Sequence, residues 1–316
     1  MITSEIMPTF AIVGCGKVGT ALSVNLGKAG YRLTGFSCTT DSSAKRAARI
    51  TGCKNFSLKP WEISQGTDIV FITTPDTAIG KVYSEITAQN GFSENTVVLH
   101  CSGALSSNIL KPISKPISTS MSKSMSKPGN DSENIYKGSM HPLQSFVSLN
   151  HSQNPFSGIV MSVEGDEKSI NICRSIAKAL GSVFIQIETD SKILYHAAAV
   201  TASNYLVTLL DLSFKLIEKA GVAEKDAFKV LGPLINGTLS NVEKVGVRKA
   251  LTGPIARGDV DVVSEHLKSM EIKTPELVEL YKILGLNTVK IATEHGLNKS
   301  NINSFGELLS CFLLIP

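Results

Sequence analysis

The stretch FAIVGCGKVG at residues 10–19 decides the fold of this chain. It begins like a buried strand, with one aromatic and two β-branched residues, and runs into the pattern G-x-G-x-x-G. In that pattern Gly14 permits a tight turn, Gly16 lets the backbone approach a pyrophosphate, and Gly19 lets the next helix pack closely on the strand. The N–H groups at the start of such a helix favour a phosphate. The residues of this turn that we expect to bind a dinucleotide are Gly14, Cys15, Gly16, Lys17, Val18 and Gly19.

The residues after the motif support a βαβ unit. Val18, Leu22 and Leu26 recur every fourth position, as on the apolar face of a helix, and residues 31–36 have the composition of a second strand. The alternative is a glycine-rich turn without a ligand. The spacing favours the dinucleotide site, because the motif joins a strand to a helix as that site requires.

The end of the second predicted strand indicates which dinucleotide binds. NAD enzymes carry an acidic residue about 20 positions past the glycines, where it binds the ribose 2′-hydroxyl. This chain has small hydroxyls there, Ser37 and Thr39, followed by Lys45 and Arg46. Asp41 lies slightly late for the acidic role and is equally suited to cap the next helix. We therefore predict NADPH/NADP+ as the cofactor.

Composition limits the class of protein. A chain of 316 residues with 42% hydrophobic and 18% charged residues is long enough for two globular domains. Most of the net charge of +4 comes from lysines in residues 111–137, so no basic face for nucleic acid is expected. The six cysteines have no metal-ligand spacing, and we expect no bound metal and a reducing cytoplasm. Residues 193–210 lack charge but contain polar side chains, which favours a helix buried in protein over a membrane span.

The order of elements predicts an α/β fold, an N-terminal doubly wound Rossmann domain followed by an all-α C-terminal domain. Strands and helices alternate up to residue 187, with a buried strand predicted at 68–73, and long helical patterns follow. We place the boundary near residue 189, which gives an NADP-binding domain at 1–189 and a helical substrate and dimerisation domain at 190–316. Helices are predicted at 192–220, 225–231, 238–251, 259–270 and 275–295.

Two segments outside this pattern have their own predictions. The first helix of the second domain is apolar on nearly every side, so it requires burial in its own domain or against a second subunit, and we predict a homodimer through the helical domain. Residues 111–136 contain tandem tetrapeptides and little apolar surface. Such composition is typical of a flexible linker, with a regulatory or partner arm as the alternative.

Polar residues that follow predicted strands are the next candidates for a site. Residues 73–76 and 100–103, with Thr74, Pro75 and Ser102 foremost, could line the ribose and nicotinamide, or serve only as caps and turns. His141 follows another strand beside a proline and, with Gln144, could contact a substrate. A structural histidine is the alternative for His141.

The long apolar helix and the segment near residue 255 supply the remaining candidates. Spacings of four and seven place Lys192, His196 and Ser203 near one helix face, with Asn204 adjacent, and polar groups on such a helix need partners. Further along the chain, Thr252 and Arg257 offer donors suited to a carboxylate. The alternative for Arg257 is an ion pair with Asp259.

Three motifs carry a resemblance to a known family: HPLQSF at 141–146, YHAAAVTASNYLV at 195–207 and ALTGPIARGD at 250–259. Together with the glycine motif, they resemble the Rossmann-like proteins with a C-terminal domain of the DUF2520 type. That family is distantly similar to pyrroline-5-carboxylate reductases and 6-phosphogluconate-dehydrogenase-like enzymes, and some members act as an alternative ketopantoate reductase. In related ketopantoate reductases a lysine of the long helix donates the proton. The resemblance therefore makes both Lys192 and His196 candidates for that role.

These observations predict an NADPH-dependent reductase of a small 2-oxo acid, most concretely of ketopantoate to pantoate in pantothenate synthesis. An imidazole titrates near neutrality, so we select His196 as proton donor, with Ser203 or Asn204 holding the carbonyl. An imine reductase of the pyrroline-5-carboxylate type is one alternative. The other is a sensor protein that binds NADP(H) without turnover.

Overall fold

The computed structural model of the chain describes residues 7–111, 134–146 and 153–310. The chain divides into two units, Met1–Thr201 and Ala202–Pro316. The predicted boundary near residue 189 lies before this division, because the helix that begins at Lys192 continues past Thr201. Most of the predicted linker at 111–136 lies outside the described residues.

The first unit is built on one sheet. Across the described ranges, eight strands pair in the order β3-β2-β1-β4-β5-β6-β7-β8, and every pair is parallel except β6 with β7. This arrangement confirms the predicted doubly wound α/β domain. The strands are β1 (Thr9–Val13), β2 (Arg32–Ser37), β3 (Phe56–Ser57), β4 (Ile69–Ile72), β5 (Val97–His100), β6 (Tyr136–Pro142), β7 (Val160–Gly165) and β8 (Val183–Gln186).

Helices cover both faces of this sheet and form the second unit. They are α1 (Lys17–Lys28), α2 (Asp41–Thr51), α3 (Pro60–Ser64), α4 (Asp76–Ala88), α5 (Glu167–Ala179), α6 (Lys192–Lys219), α7 (Glu224–Ala250), α8 (Pro254–Arg257), α9 (Val260–Lys273), α10 (Val278–Thr293) and α11 (Lys299–Leu309). The predicted cap of α2 was wrong by one residue. Thr40 is its N-cap, because its hydroxyl accepts the N–H of Ser43, and Asp41 lies in the first turn.

The central strands supply the core of the first unit. β1 and β4 are buried along their whole length, and Phe10 packs edge-on against Phe71 with ring centroids 6.3 Å apart. Strands buried on both faces consist of continuous apolar residues, and this is why residues 10–13 and 69–72 were predicted correctly. The core therefore fixes the strand ends at which the polar candidates lie.

The second unit has its own core, in which Val263, Leu267 and Phe305 are nearly or fully buried. Two predictions about its helices were wrong. The predicted helices at 225–231 and 238–251 form one helix, α7, which runs through Pro233. The break in α7 lies at Gly246, whose φ is 80°. Helix α11 was not predicted.

Helix α6 is not buried as the sequence suggested. Ile193, Leu194 and Val207 are 65%, 73% and 65% exposed in the single chain. The segment Thr189–Lys219 has a mean hydropathy of 1.3 and is the one helix in the described ranges long and apolar enough to span a membrane. The prediction that this helix is buried within its own chain was therefore wrong.

Candidate functional site

The turn between β1 and α1 has the shape that a dinucleotide phosphate needs. Gly14 has a φ of +106°, and a Cβ there would lie 2.8 Å from the backbone of Thr73 and Thr74. A Cβ at Gly16 would meet nothing within 4 Å, so the backbone faces open space at this point. Thr73 Oγ1 donates to the carbonyl of Gly14 at 2.5 Å and fixes the turn. Helix α1 has no side-chain cap and no acidic residue in its first turn, which suits an anion.

A cavity of about 310 Å³ opens over this turn, at the carboxyl ends of β1, β2 and β4. Lys17, Val18, Gly19 and Ser102 were also predicted to bind the cofactor but do not line it; Lys17 instead donates from Nζ to the carbonyl of Phe146 at 2.9 Å. The predicted cofactor residues that line the cavity are Gly14, Cys15, Gly16, Ser37, Thr39, Thr74 and Pro75.

The far end of the cavity can hold a phosphate on a ribose. Arg46 lines it together with Ser37 and Ser43, and the Arg46 guanidinium donates to the carbonyl of Cys15 at 3.3 Å. Lys45 does not line the cavity, because its ammonium pairs with Asp41 at 3.4 Å on the surface. The hydroxyl of Thr74 is buried without a hydrogen-bond partner among the described residues. These features fit a dinucleotide with a 2′-phosphate.

A second polar group lies in the same unit, around a buried ion pair. Lys192 and Glu164 are each 1% exposed, with Lys192 Nζ 3.7 Å from Glu164 Oε1. Nζ also donates to the hydroxyl of Ser139, which faces Glu164 in the β6–β7 register. The Glu164 carboxylate accepts the N–H and the hydroxyl of Ser107 at 2.8 and 2.7 Å. Burial lowers the pKa of Lys192, and the charge of Glu164 acts in the opposite direction.

Two histidines converge on a glycine beside this ion pair. A Cβ on Gly103 would lie 2.7 Å from His196 Nδ1 and 2.9 Å from His141 Nε2. The rings of His141 and His196 are 6.3 Å apart and nearly perpendicular. His141 Nδ1 lies 3.1 Å from the hydroxyl of Tyr195. Burial, reinforced by the charge of Lys192, lowers the pKa of His141 to about 4, so this ring is neutral near pH 7.

A third histidine, His100, ends β5 and is fully buried. Its Nδ1 accepts the N–H of Ser102 at 3.2 Å, which places the proton on Nε2, an atom without a partner in the described part of the chain. Burial and the charge of Lys192 lower the pKa of His100 to about 3. The hydroxyl of Ser102 donates to Asp76 and accepts two backbone N–H groups, so Ser102 shapes this turn. Its contact with a cofactor stays a prediction.

Comparison with known families agrees with this architecture. A model of Rossmann-like domains matches residues 4–121, and the model of a domain of unknown function, DUF2520, matches residues 159–288. The chain is a Rossmann-like/DUF2520 two-domain protein. No curated protein matches it.

Solved structures resemble this Rossmann-like/DUF2520 protein over most of their length. A Thermotoga maritima protein is 27% identical, covering 90% of this chain and 99% of its own, with a TM-score of 0.66. A Bacteroides fragilis protein provisionally described as an NADP oxidoreductase is 20% identical, covering 90% and 98%, with a TM-score of 0.65. The pyrroline carboxylate reductase of Plasmodium falciparum, solved with NADP bound, is 14% identical, covering 96% and 100%, with a TM-score of 0.54. The last two comparisons show a shared fold.

The remaining predicted residues of the Rossmann-like/DUF2520 protein lie elsewhere. Gln144 is in an exposed turn, where its side chain accepts the N–H of Ser145. Arg257 bonds to Asp259 at 2.9 and 3.0 Å, so the ion pair considered as its alternative is present. Ser203, Asn204, Thr252 and Arg257 belong to the second unit, and their contact with a substrate stays a prediction.

Sequence reasoning missed several residues of the group around the ion pair. A signal existed for Glu164, because a carboxylate inside an apolar strand needs a buried partner. Gly103 lies in the predicted segment 100–103, but no signal indicated that its lack of a side chain lets the two imidazoles approach it. The missed residues are Ser107, Ser139, Glu164 and Tyr195.

Proposed function

We propose that the protein is an NADPH-dependent reductase of a small 2-oxo acid, most concretely of ketopantoate to pantoate. The observation that carries this proposal is the position of two groups in one Rossmann unit. The glycine turn with its cavity follows β1, and Gly103, which His141 and His196 approach, follows β5 of the same sheet. In such sheets ligands bind outside the carboxyl ends of the strands.

The cofactor supplies a hydride, and the protein supplies its orientation. Gly14 would form the tight turn and Gly16 would hold the pyrophosphate, because the backbone at Gly16 faces open space and the N-terminus of α1 favours negative charge. Ser37, Thr39 and Arg46 would hold the 2′-phosphate. The NADP bound to the structurally similar Plasmodium reductase supports this proposal.

Reduction of a carbonyl also requires a proton donor, and His196 suits that role better than Lys192. His196 is only partly buried, and its Nδ1 faces Gly103 without a partner in the described ranges. Lys192 is enclosed and already bound to Ser139 and Glu164. His141 is neutral and held by Tyr195, so it would hydrogen bond to the substrate. Ser203, Asn204, Gln144, Thr252 and Arg257 remain candidates for substrate contact.

The deciding experiment measures NADPH oxidation by the purified protein with ketopantoate, beside NADH and beside pyrroline-5-carboxylate. Rapid turnover with ketopantoate and NADPH is the expected result. Turnover with pyrroline-5-carboxylate alone would replace the proposal with an imine reductase, which the fold shared with the Plasmodium enzyme favours. If the protein binds NADPH tightly but no 2-oxo acid causes NADPH oxidation, it is a sensor that binds NADP(H) without turnover.

Arg46→Ala tests the cofactor preference. Removal of the guanidinium that lines the cavity should weaken NADPH binding about 10-fold to 100-fold and leave NADH binding unchanged, because a hydrogen bond to a charged group contributes about 1.5–3 kcal/mol. Lys45→Ala is the matched control. That side chain pairs with Asp41 on the surface, so NADPH affinity should change less than about threefold. Equal losses for both variants would contradict the assignment of Arg46. Fluorescence titration measures both affinities.

We also propose that the protein is a cytoplasmic homodimer through the helical unit. Helix α7 exposes large apolar side chains, with Phe228, Leu234 and Val247 59%, 69% and 60% exposed, and α6 exposes others. An apolar surface of this extent on a soluble protein marks an interface, and a second copy has a matching surface.

Leu234→Glu tests the dimer. A charge placed in an apolar interface should weaken dimerisation at least about tenfold, so light scattering should show monomer at concentrations where the unmodified chain is dimeric. Ile272→Glu is the control, because this residue is 82% exposed on α9, outside the α6 and α7 surface. A monomeric unmodified chain, or equal effects of both variants, would refute the dimer.

A further inference from the structure

Two cysteines lie side by side at the nucleotide cavity. Cys15 follows Gly14 in the turn after β1, and Cys38 directly follows Ser37, the last residue of β2. Val13 and Ser37 are partners in the parallel pair β1–β2, so both chain segments leave the sheet at the same edge. Both cysteines line the 310 Å³ cavity. The topology therefore places two thiols at the carboxyl ends of neighbouring strands.

The spacing suits a bond between them. Neighbouring strands lie about 4.8 Å apart, within the Cα separation of roughly 4.4–6.8 Å that a disulfide spans. Gly14 N donates to the carbonyl of Ser37 at 2.8 Å, and Cys15 Sγ lies 3.9 Å from the same oxygen. Each thiol also shifts the pKa of the other, upwards for Cys15 and downwards for Cys38.

The surroundings make the two thiols unequal. Hydrogen bonding with Cys15 lowers the pKa of Cys38, and the positive charge of Arg46 acts in the same direction. The same hydrogen bond and burial raise the pKa of Cys15. The thiolate is the nucleophilic form, so Cys38 reacts first and Cys15 second.

We propose that Cys15 and Cys38 form a peroxide-sensitive dithiol that closes to a disulfide and shuts the nucleotide cavity. The thiolate of Cys38 attacks hydrogen peroxide; an S–O bond forms, the O–O bond breaks, and hydroxide leaves as water after protonation. The thiol of Cys15 then attacks the sulfenic sulfur, the S–S bond forms, and a second water leaves. Two thiols are oxidised by two electrons, and one peroxide is reduced to two molecules of water.

The consequence for the cavity rests on the proposed binding of NADPH. Cys15 is the residue between the first two glycines of the motif, so a bond to Cys38 ties the phosphate-binding turn to the end of β2. The disulfide then occupies space that the cofactor needs beside Ser37. Bound NADPH covers both thiols in return and should slow their oxidation.

The test treats the full-length protein with hydrogen peroxide and measures two quantities. Peptide mass spectrometry should find residues 15 and 38 linked with the loss of two hydrogens, and fluorescence titration should show an NADPH dissociation constant raised at least about tenfold. A thiol reductant should reverse both changes, and saturating NADPH added first should slow the linkage. Cys38→Ser and Cys38→Ala should each bind NADPH equally well before and after peroxide, whereas Cys53→Ser should behave like the unmodified chain.

The outcomes separate this inference from the proposed function. Peroxide that leaves the pair unlinked, or links either member to Cys53, refutes the dithiol. A Cys15–Cys38 disulfide with unchanged NADPH affinity refutes the closure of the cavity. Reduced protein that fails to bind NADPH refutes the proposed cofactor, and the peptide masses then still decide the disulfide on their own.

Discussion

Glu164→Gln should lower the free energy of unfolding by about 3–5 kcal/mol, because it leaves the ammonium of Lys192 buried without its counter-charge. The carboxylate also accepts two hydrogen bonds from Ser107, and the amide can satisfy them only in part. Chemical denaturation measures the loss. Glu265→Gln is the matched control, since its ion pair with Lys268 is exposed, and should cost at most about 1 kcal/mol.

The pH dependence of the Glu164→Gln variant gives a second test. Without Glu164, burial dominates and lowers the pKa of Lys192 further, so the folded protein releases this proton well below the pKa of an unfolded lysine. The unfolded chain then binds more protons, and the free energy of unfolding rises with pH in that range. The variant should therefore be closer in stability to the unmodified protein at pH 9 than at pH 7. Replacing Lys192 by Met in the same chain should restore part of the loss.

A loss in Glu164→Gln no larger than that in Glu265→Gln would contradict the buried ion pair. So would a double variant with Lys192→Met that is less stable than Glu164→Gln alone, since removal of the unpaired ammonium should relieve the chain.

His196→Ala should lower kcat for NADPH-dependent reduction by about 10²-fold to 10⁴-fold, the usual contribution of a general acid. The dissociation constant of NADPH should stay unchanged, because His196 does not line the nucleotide cavity. Steady-state kinetics and fluorescence titration measure the two quantities. His266→Ala is the control, since this histidine is exposed and its ring nitrogen bonds to Tyr281 within the second unit, and it should keep full activity.

The pH profile distinguishes a proton donor from a residue that only shapes the site. In the unmodified enzyme kcat should fall as the donor loses its proton, and His196→Ala should lose this limb while a low rate remains. If the limb persists in His196→Ala and the rate falls less than about tenfold, the donor is another group, and Lys192 becomes the first alternative.

Local patterns were enough to predict the framework of the first unit. Buried strands such as residues 10–13 and 69–72 are continuous apolar runs, and the glycine motif requires one type of turn, so both follow from neighbouring residues alone. The same local reasoning failed at Pro233, where the pattern indicated a break and α7 continues. A proline usually ends or kinks a helix because it lacks an N–H and its ring crowds the preceding turn, and α7 is an exception that the local pattern did not indicate.

The sequence by itself determined the Rossmann turn and the alternation of strands and helices. It also determined three side chains of the cluster near Gly103, namely His141, Lys192 and His196. Only the tertiary structure decided their roles. The antiparallel pairing of β6 with β7 sets Glu164 opposite Ser139, and this register encloses Lys192 while His196 stays beside Gly103. Register and burial arise from contacts between residues far apart in the chain, so no local pattern could assign the ion pair to one side chain and the unpartnered imidazole to another.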